Sequence, residues 1–365
     1  MRVWIDILTP KQVYLFSELS RSLESHGHDI FRTTRRYREV NELLSLKGLS
    51  ADEVGKHGGP TLEGKLMASA QRVLELTRLM GRIRPDVAVS FASPEASRTA
   101  VGLAIPGVTI NDSPHSEVVA RLTIPISKVL LTPKIIPDRA WLRLGATSDM
   151  IVKYDALDPV AWLKRLTPDP RVLSELRLDP NEPIVVFRAE EAFASYLAGR
   201  TSREKSVIIP VIDSLLEKAR RKLQIVALPR YTEQVPTIRA TFENHVTVPE
   251  RIVDGPSLLF FTWVFVGAGG TMTAEAALMG VPTITCFPGP PTLVDEYLVG
   301  QSLVWRILEP ERAARKALQA IEKFEEVREE QRAKARTLMS SMQDPIEVIA
   351  ETIEKFTPTR HTATP

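Results

Sequence analysis

Residues 259–288 read LFFTWVFVGAGGTMTAEAALMGVPTITCFP, and no other stretch constrains the fold as tightly. Phe260 to Val266 is an apolar run with aromatic and β-branched residues, the pattern of a buried strand. Gly267, Ala268, Gly269 and Gly270 end it, and Thr271 opens Met272–Met279, a run of good helix formers. Gly280 stands where a helix stops, and Pro282 precedes a second apolar run, Thr283–Phe287. Strand, glycine turn, helix, glycine stop, strand is a βαβ crossover, and a crossover of that kind requires a parallel sheet.

The chemistry of the turn follows from its missing side chains. Glycines let a ligand approach the backbone, and the first helical turn leaves N–H groups without partners. The helix dipole adds roughly half a positive charge there, so phosphate is a natural guest. Thr271 and Thr273 can add hydroxyl donors. Glu275, one turn in, does not suit a diphosphate but can accept from both hydroxyls of a ribose. The structural alternative is a turn whose glycines serve packing, with a glutamate that complements the dipole.

A chain of 365 residues with 44% apolar and 25% charged residues fits two ordinary globular domains. The net charge of +2 gives no argument for nucleic acid. Basic runs such as Arg32 to Arg38 and Arg312 to Lys316 read as solvated helix faces or local anion sites. Cys286 is the single cysteine, so no intrachain disulfide or zinc set can form, and its apolar strand makes it a small buried hydrophobe. Reducing, cytoplasmic conditions fit. The first residues read as a strand carrying Asp6, not as a signal peptide, and no run reaches the roughly 18 apolar residues of a membrane span. Peripheral membrane contact and a homodimer stay open.

Strands alternate with helices along the chain. Val3–Leu8 reads as a strand, Pro10 to Ser25 as a helix and Asp29–Thr33 as a strand. Helices over Tyr37–Leu46 and Leu62–Ile83 precede strands at Asp86–Phe91, Val108–Asn111, Val129–Thr132 and Met150–Tyr154. Asp155 to Pro183, rich in Asp and Pro, breaks the rhythm. A second series then runs through strands at Ile184–Phe187, Gln224–Leu228 and His245–Val248. Helices at Ser206–Arg221, Tyr231–Glu243 and Gly255–Phe261 belong to it, the last overlapping the strand from Phe260. Helices Pro310–Met342 and Pro345–Lys355 close the chain. The expected class is α/β, with two Rossmann-like doubly wound parallel-sheet domains facing across a cleft. Their expected bounds are 1–160 for the first, 161–182 for a linker, 183–345 for the second, and 346–365 for a final helix and disordered tail.

In such sheets ligands sit beyond the carboxyl ends of the strands, which singles out further loops. Lys11 and Gln12 lie after the first strand at a helix start, in a ligand site or a plain N-terminus. Asn111 to Glu117 places Asp112, His115 and Glu117 in one loop, the mix that acid/base work needs. Its alternative is an Asx-turn with a helix cap. Arg188, with Glu190 and Glu191 and continuing to Ser195 and Tyr196, can face a diphosphate or form a local salt bridge. Pro229 to Gln234 supplies Arg230, Tyr231 and an amide, suited to a nucleobase or to a simple helix start. The turn His57-Gly58-Gly59 adds a loop histidine, a residue more often inert than catalytic.

No G-x-G-x-x-G follows the first strand, and no P-loop, nucleophile elbow or metal-ligand spacing occurs. Gly269 to Pro282 resembles the C-terminal nucleotide motif of GT-B proteins, among them the MurG-type N-acetylglucosaminyl transferases and the UDP-N-acetylglucosamine 2-epimerases. That resemblance implies phosphate contacts from Gly269, Gly270 and Thr271 and a ribose contact from Glu275. Nearly the whole chain also resembles an uncharacterised, largely archaeal family, domain of unknown function 354. The stretches that carry this are DILTPKQV, GKHGG, NDSPHSE, PRYTEQ and GAGGTMTAEAALMGVPTI. The glycine- and histidine-rich first loop of MurG-type enzymes is replaced by Thr9-Pro10-Lys11-Gln12, and the epimerases' histidine–acid segment is matched loosely by His115 and Glu117.

The expected function is therefore a GT-B-type glycosyltransferase that takes a nucleotide-diphosphate sugar as donor. The sugar nucleotide is its substrate, with no separate cofactor or metal, and its acceptor is unidentified. Arg188 would neutralise leaving-group charge, and His115, Asp112 or Glu117 would serve as base. The alternatives are a nucleotide-sugar 2-epimerase and a non-catalytic sugar-nucleotide-binding protein.

Overall fold

The computed structural model describes residues 1–59, 61–190, 206–230 and 233–356. The chain divides into two compact units: Met1–Trp162 together with the segment from Gln343, and Leu163–Met342.

The first unit is built on seven strands: β1 (Arg2–Ile7), β2 (Asp29–Arg36), β3 (Asp52–Lys56), β4 (Val87–Phe91), β5 (Gly107–Ile110), β6 (Val129–Pro133) and β7 (Ile151–Tyr154). They pair in the order β3-β2-β1-β4-β5-β6-β7, every pair parallel, so the winding reverses between β1 and β4. β1 is buried from Val3 onward, the mark of a central parallel strand covered on both faces. Trp4 and Ala88 pack with Leu76 and Met80 of the helix Leu62–Ile83 and with Ala96 and Ala100 of Pro94–Gly102. Thr61 caps the longer helix by accepting from Gly64 N at 3.0 Å.

The second unit holds β8 (Ile184–Arg188), β9 (Gln224–Leu228), β10 (Val246–Thr247), β11 (Val264–Gly267), β12 (Thr283–Thr285) and β13 (Val304–Arg306). Their order is β10-β9-β8-β11-β12-β13, again all parallel, with the reversal between β8 and β11. Val185, Phe187, Val264 and Val266 enter one core and Ile184, Val186 and Phe265 the other. Period-two alternation thus fills both faces. Phe187 and Phe265 are fully buried, each contributing roughly 1.5–3 kcal/mol over an exposed ring. Cys286 is buried as well; burial, with the charge of Glu190, pushes its thiol up to about 12, so it is packed and unreactive.

Several elements differ from the sequence reading. The helix Gly255–Phe261 runs through Phe260, and β11 starts only at Val264; Phe260 is exposed on the helix and not buried in a strand. β3 reads DEVGK with Val54 as its buried apolar residue, an edge strand without the alternation that would announce it. Residues 310–342 form two helices, Pro310–Glu322 and Phe324–Ser341, because Lys323 leaves helical geometry at ψ 37°. Within 161–182 the helix Arg171–Glu175 sends Val172 and Leu173 into the core beside Ile184 and Val186. The last helix, Pro345–Glu354, packs on Pro10–Ser25 of the first unit, and Glu354 accepts from His26 at 2.7 Å and His28 at 3.1 Å.

Candidate functional site

The glycine turn lies where the second sheet reverses its winding. Gly267 ends β11 directly beside Arg188 of β8, and Ala268 N donates to Arg188 O at 3.0 Å. Gly269 and Gly270 then take φ of +89° and +94°, a region that strains any residue with a Cβ. A Cβ on Gly270 would stand 3.0 Å from both terminal nitrogens of Arg230, so that guanidinium covers the turn. The helix Thr271–Leu278 starts at Gly270 with no side-chain cap, which leaves its first N–H groups to the turn. Thr273 is fully buried in that first turn, and its Oγ1 has no hydrogen-bond partner among the described residues.

The loops around it are pinned. Arg188 Nη1 donates to Pro229 O at 2.8 Å, tying the ends of β8 and β9 together. Arg230 N donates to Gln234 Oε1 at 2.7 Å, and Gln234 Nε2 donates to Glu190 O at 3.3 Å. Glu190 is buried and accepts from Ser206 Oγ at 2.8 Å and Val207 N at 3.1 Å. These bonds fix the Arg188 guanidinium against Pro229 and tie the Arg230 backbone to Gln234 and Glu190. Glu275 sits one turn into the helix and is 3% exposed. Thr271 opens the helix half-buried. Glu191, Ser195, Tyr196 and Tyr231 lie outside the described residues. A cavity of about 660 Å³ in this unit opens at the other end of the same helix, between Phe260, Met279 and Arg332.

The first unit gathers a different set at its carboxyl edge. Lys11 Nζ is 2.5 Å from Asp112 Oδ2 and 2.5 Å from Asp158 Oδ2, and 4.1 Å above the Phe91 ring. Tyr154 donates to the second carboxyl oxygen of Asp158, and Ser113 Oγ to Asp112 Oδ1 at 2.7 Å. Burial opposes charge on all of these groups, yet the ion pairs prevail at two of them. The charges of Asp112 and Asp158 hold Lys11 above the ordinary lysine range, and Lys11 holds Asp112 below the usual carboxylate range. Burial, reinforced by the charge of Asp112, lifts Asp158 to about 6. Burial and Asp158 push the Tyr154 phenol well above its usual value.

The remaining residues of the sequence reading divide. Gln12 spends both ends of its amide on backbone, accepting from Leu8 N at 2.6 Å and donating to Phe91 O at 3.2 Å, so it ties β1 to β4. Glu117 is exposed, 3.3 Å from Arg143, in the first turn of Glu117–Thr123. His115 stands half-buried in the same loop as Asp112. Asn111 is buried, accepts from Ser113 N at 2.8 Å, and leaves its Nδ2 without a partner among the described residues.

Two groups escaped the sequence reading. Asp158 and Tyr154 lie in or beside the stretch that reads as a connection; a lone acid within ALDPVAW was the available signal. Asp6, fully enclosed under the carboxyl edge, accepts from Arg72 at 3.0 and 2.5 Å, from Thr33 at 2.7 Å and from Ser93 at 2.7 Å. Burial would raise its pKa, but Arg72 holds it below the ordinary range. Among the described residues no three His, Cys, Asp or Glu side chains group as a metal set, and no helix is long and apolar enough to cross a membrane.

Two parallel-sheet α/β units of seven and six strands, each reversing its winding at a central strand, define a GT-B-type protein. The chain belongs to the family described as "Protein of unknown function (DUF354)", which matches residues 1–357. It is 32% identical over 302 residues to the uncharacterized protein MJ0665 of Methanocaldococcus jannaschii, covering 81% of this chain and 85% of that one. Among solved structures it is similar to the Methanocaldococcus jannaschii UDP-GlcNAc 2-epimerase in complex with UDP-GlcNAc and UDP. That likeness has TM-score 0.69 and 15% identity, over 97% of this chain and 99% of the other. It is also similar to the spinosyn forosaminyltransferase SpnP, with TM-score 0.62 and 16% identity, over 98% and 99%.

Proposed function

We propose that the protein is a glycosyltransferase that uses a nucleotide-diphosphate sugar, with the donor's diphosphate seated on the turn Gly267–Thr271. One observation carries this reading: two glycines at positive φ open an uncapped helix at the sheet's reversal point, with a guanidinium over them. The backbone N–H groups and Arg230 supply donors to the charge that grows on the leaving diphosphate, and Arg188 adds a second cation at the end of β8. The Thr273 hydroxyl, buried and without a partner among the described residues, gives the phosphates a further donor. Glu275 takes the ribose.

In this reading the first unit receives the acceptor at its carboxyl edge. Its ionised Asp112, fixed by Lys11 and Ser113, orients the acceptor hydroxyl, and His115 is the residue type suited to remove its proton near neutral pH. Asp158, bonded to both Lys11 and Tyr154, positions Lys11. Glu117, exposed and paired with Arg143, is the weakest of the three base candidates.

A 2-epimerase is the second reading, supported by the likeness to an epimerase solved with UDP-GlcNAc and UDP. Incubation with UDP-N-acetylglucosamine alone separates the two, since an epimerase turns it over without an acceptor. The site itself is tested by calorimetric titration of UDP into the parent and into Arg230→Ala. The expected result is a loss of roughly tenfold in affinity for the variant, the scale of one charge-assisted contact. Equal affinity in both would remove the turn from the reading.

A further inference from the structure

The loop His57-Gly58-Gly59 has no part in the chemistry proposed above. It follows β3, on the same carboxyl edge as Lys11 and Asp112. A Cβ on Gly58 would stand 2.4 Å from Lys65 Cα, so the loop is pressed onto the first turn of Leu62–Ile83. Gly59 N donates to His57 Nδ1 at 3.2 Å, which puts the proton of the neutral imidazole on Nε2 and makes that atom a donor. The His57 ring stacks on Tyr37 with centroids 5.0 Å apart and planes at 26°. Arg35, from the end of β2, lies across the other ring of this stack, its guanidinium carbon 5.9 Å from the Tyr37 centroid.

Arg35 is the anomaly. Its Nε is buried and has no hydrogen-bond partner among the described residues. A buried donor left without an acceptor is destabilising, because it has given up water and gained nothing in return. Burial and the neighbouring Arg72 both work against its charge, while Glu95 and Asp6 favour it. Asp6 is already engaged by Arg72 through two bonds. His57 is held below its ordinary value by burial first, then by the charges of Arg35 and Lys65. Cations crowded at a strand-end edge, one with an idle buried donor, describe a seat for an anion.

We propose that Arg35 and His57 Nε2–H, beside the helix turn that carries Lys65, bind a phosphate or carboxylate group of the second substrate, so that the acceptor is an anionic small molecule. The identity of that substrate as an acceptor rests on the transferase reading; the anion seat itself does not. Arg35 gives the bidentate fork that such oxyanions fit, and His57 adds a neutral donor.

The test uses the full chain with 15N-labelled arginine and inorganic phosphate as probe. The Arg35 Nε–H signal is identified by its loss in Arg35→Ala, and circular dichroism shows whether that variant keeps the fold. Phosphate should shift the signal saturably in the parent, and His57→Ala, which retains Arg35, should weaken the response by about fivefold or more. A signal that neither phosphate nor glycolate moves, or a response that His57→Ala leaves unchanged, overturns the proposal. UDP, titrated separately, should move the Arg230 signal. If UDP fails there while phosphate still moves Arg35, the nucleotide reading falls and the anion seat stands. Replacing phosphate by glycolate distinguishes the two oxyanions on the same signal: a shift with either supports the seat, and a shift with neither removes it.

Discussion

The two units reach their strand-end edges by opposite means. The second unit makes its candidate site by omission: glycines clear the backbone, and the helix start is left uncapped. The first unit makes its candidate site from side chains, with Lys11 between two carboxylates and Arg72 bound to Asp6 beneath them. A turn made of backbone carries no charge of its own, so it folds without an ion pair to complete it. A site made of buried ions depends on every partner being present, since removing one leaves the other as an uncompensated charge.

The largest test of that contrast is Arg72→Ala, which strands Asp6 in the core. The expected loss is about 3–5 kcal/mol of stability, read by urea unfolding of the first unit's transition. A loss under about 1 kcal/mol would show that water reaches Asp6 and that this edge is not held by ions.

Asp158 tests the same edge through pH. Its folded pKa, about 6, lies above the ordinary carboxylate value, so the folded chain holds a proton that the unfolded chain gives up between about pH 4 and 6. Its contribution to stability therefore declines as pH rises through that window, by on the order of 2 kcal/mol. Asp158→Asn should be flat over that range relative to the parent. Unfolding curves at pH 4.5 and 6.5 that move in parallel for both chains would refute the assignment. Asp112, held low, works in the opposite direction below about pH 4 and separates from it there.

Gly269→Ala examines the other kind of site. A Cβ at φ +89° and 3.2 Å from the Phe287 ring costs roughly 1–2 kcal/mol of stability, and UDP affinity should fall further than that strain explains. Retained affinity would mean that the turn shapes the fold without holding a ligand. The smallest effect is expected at Thr273→Val, which replaces an unpartnered buried hydroxyl by a methyl group. Stability should stay level or rise by up to about 1 kcal/mol, while UDP affinity drops about fivefold. If both stay level, the hydroxyl serves neither purpose.

The same contrast governs what the sequence discloses. Glycines, a helix run and a stop are local signals, and the turn at Gly269 and Gly270 was legible from them. Ion clusters are assembled from residues far apart, as with Asp6 and Arg72, and no local pattern marks them. Arg72 sits on the helix Leu62–Ile83 with no local mark of its burial, yet it is almost fully buried. Asp158 was hidden for a related reason, since a stretch rich in Asp and Pro reads as a connection. β3 escaped because an edge strand with one buried residue has no period to detect. The doubly wound class emerged from the alternation of strands and helices, which spans the whole chain and tolerates errors at single elements. The helix boundary at Phe260 shows the limit: apolar composition alone does not distinguish a helix end from a strand start.

The return of Pro345–Glu354 to the helix Pro10–Ser25 has a consequence for synthesis. The first unit starts at the beginning of the chain but receives its closing helix only after all of Leu163–Met342 has been made. On the ribosome the later-encoded unit can thus reach its finished state while the earlier one still waits, with the helix Pro10–Ser25 lacking its last cover. A truncation near residue 343 should therefore injure the unit at the far end of the sequence.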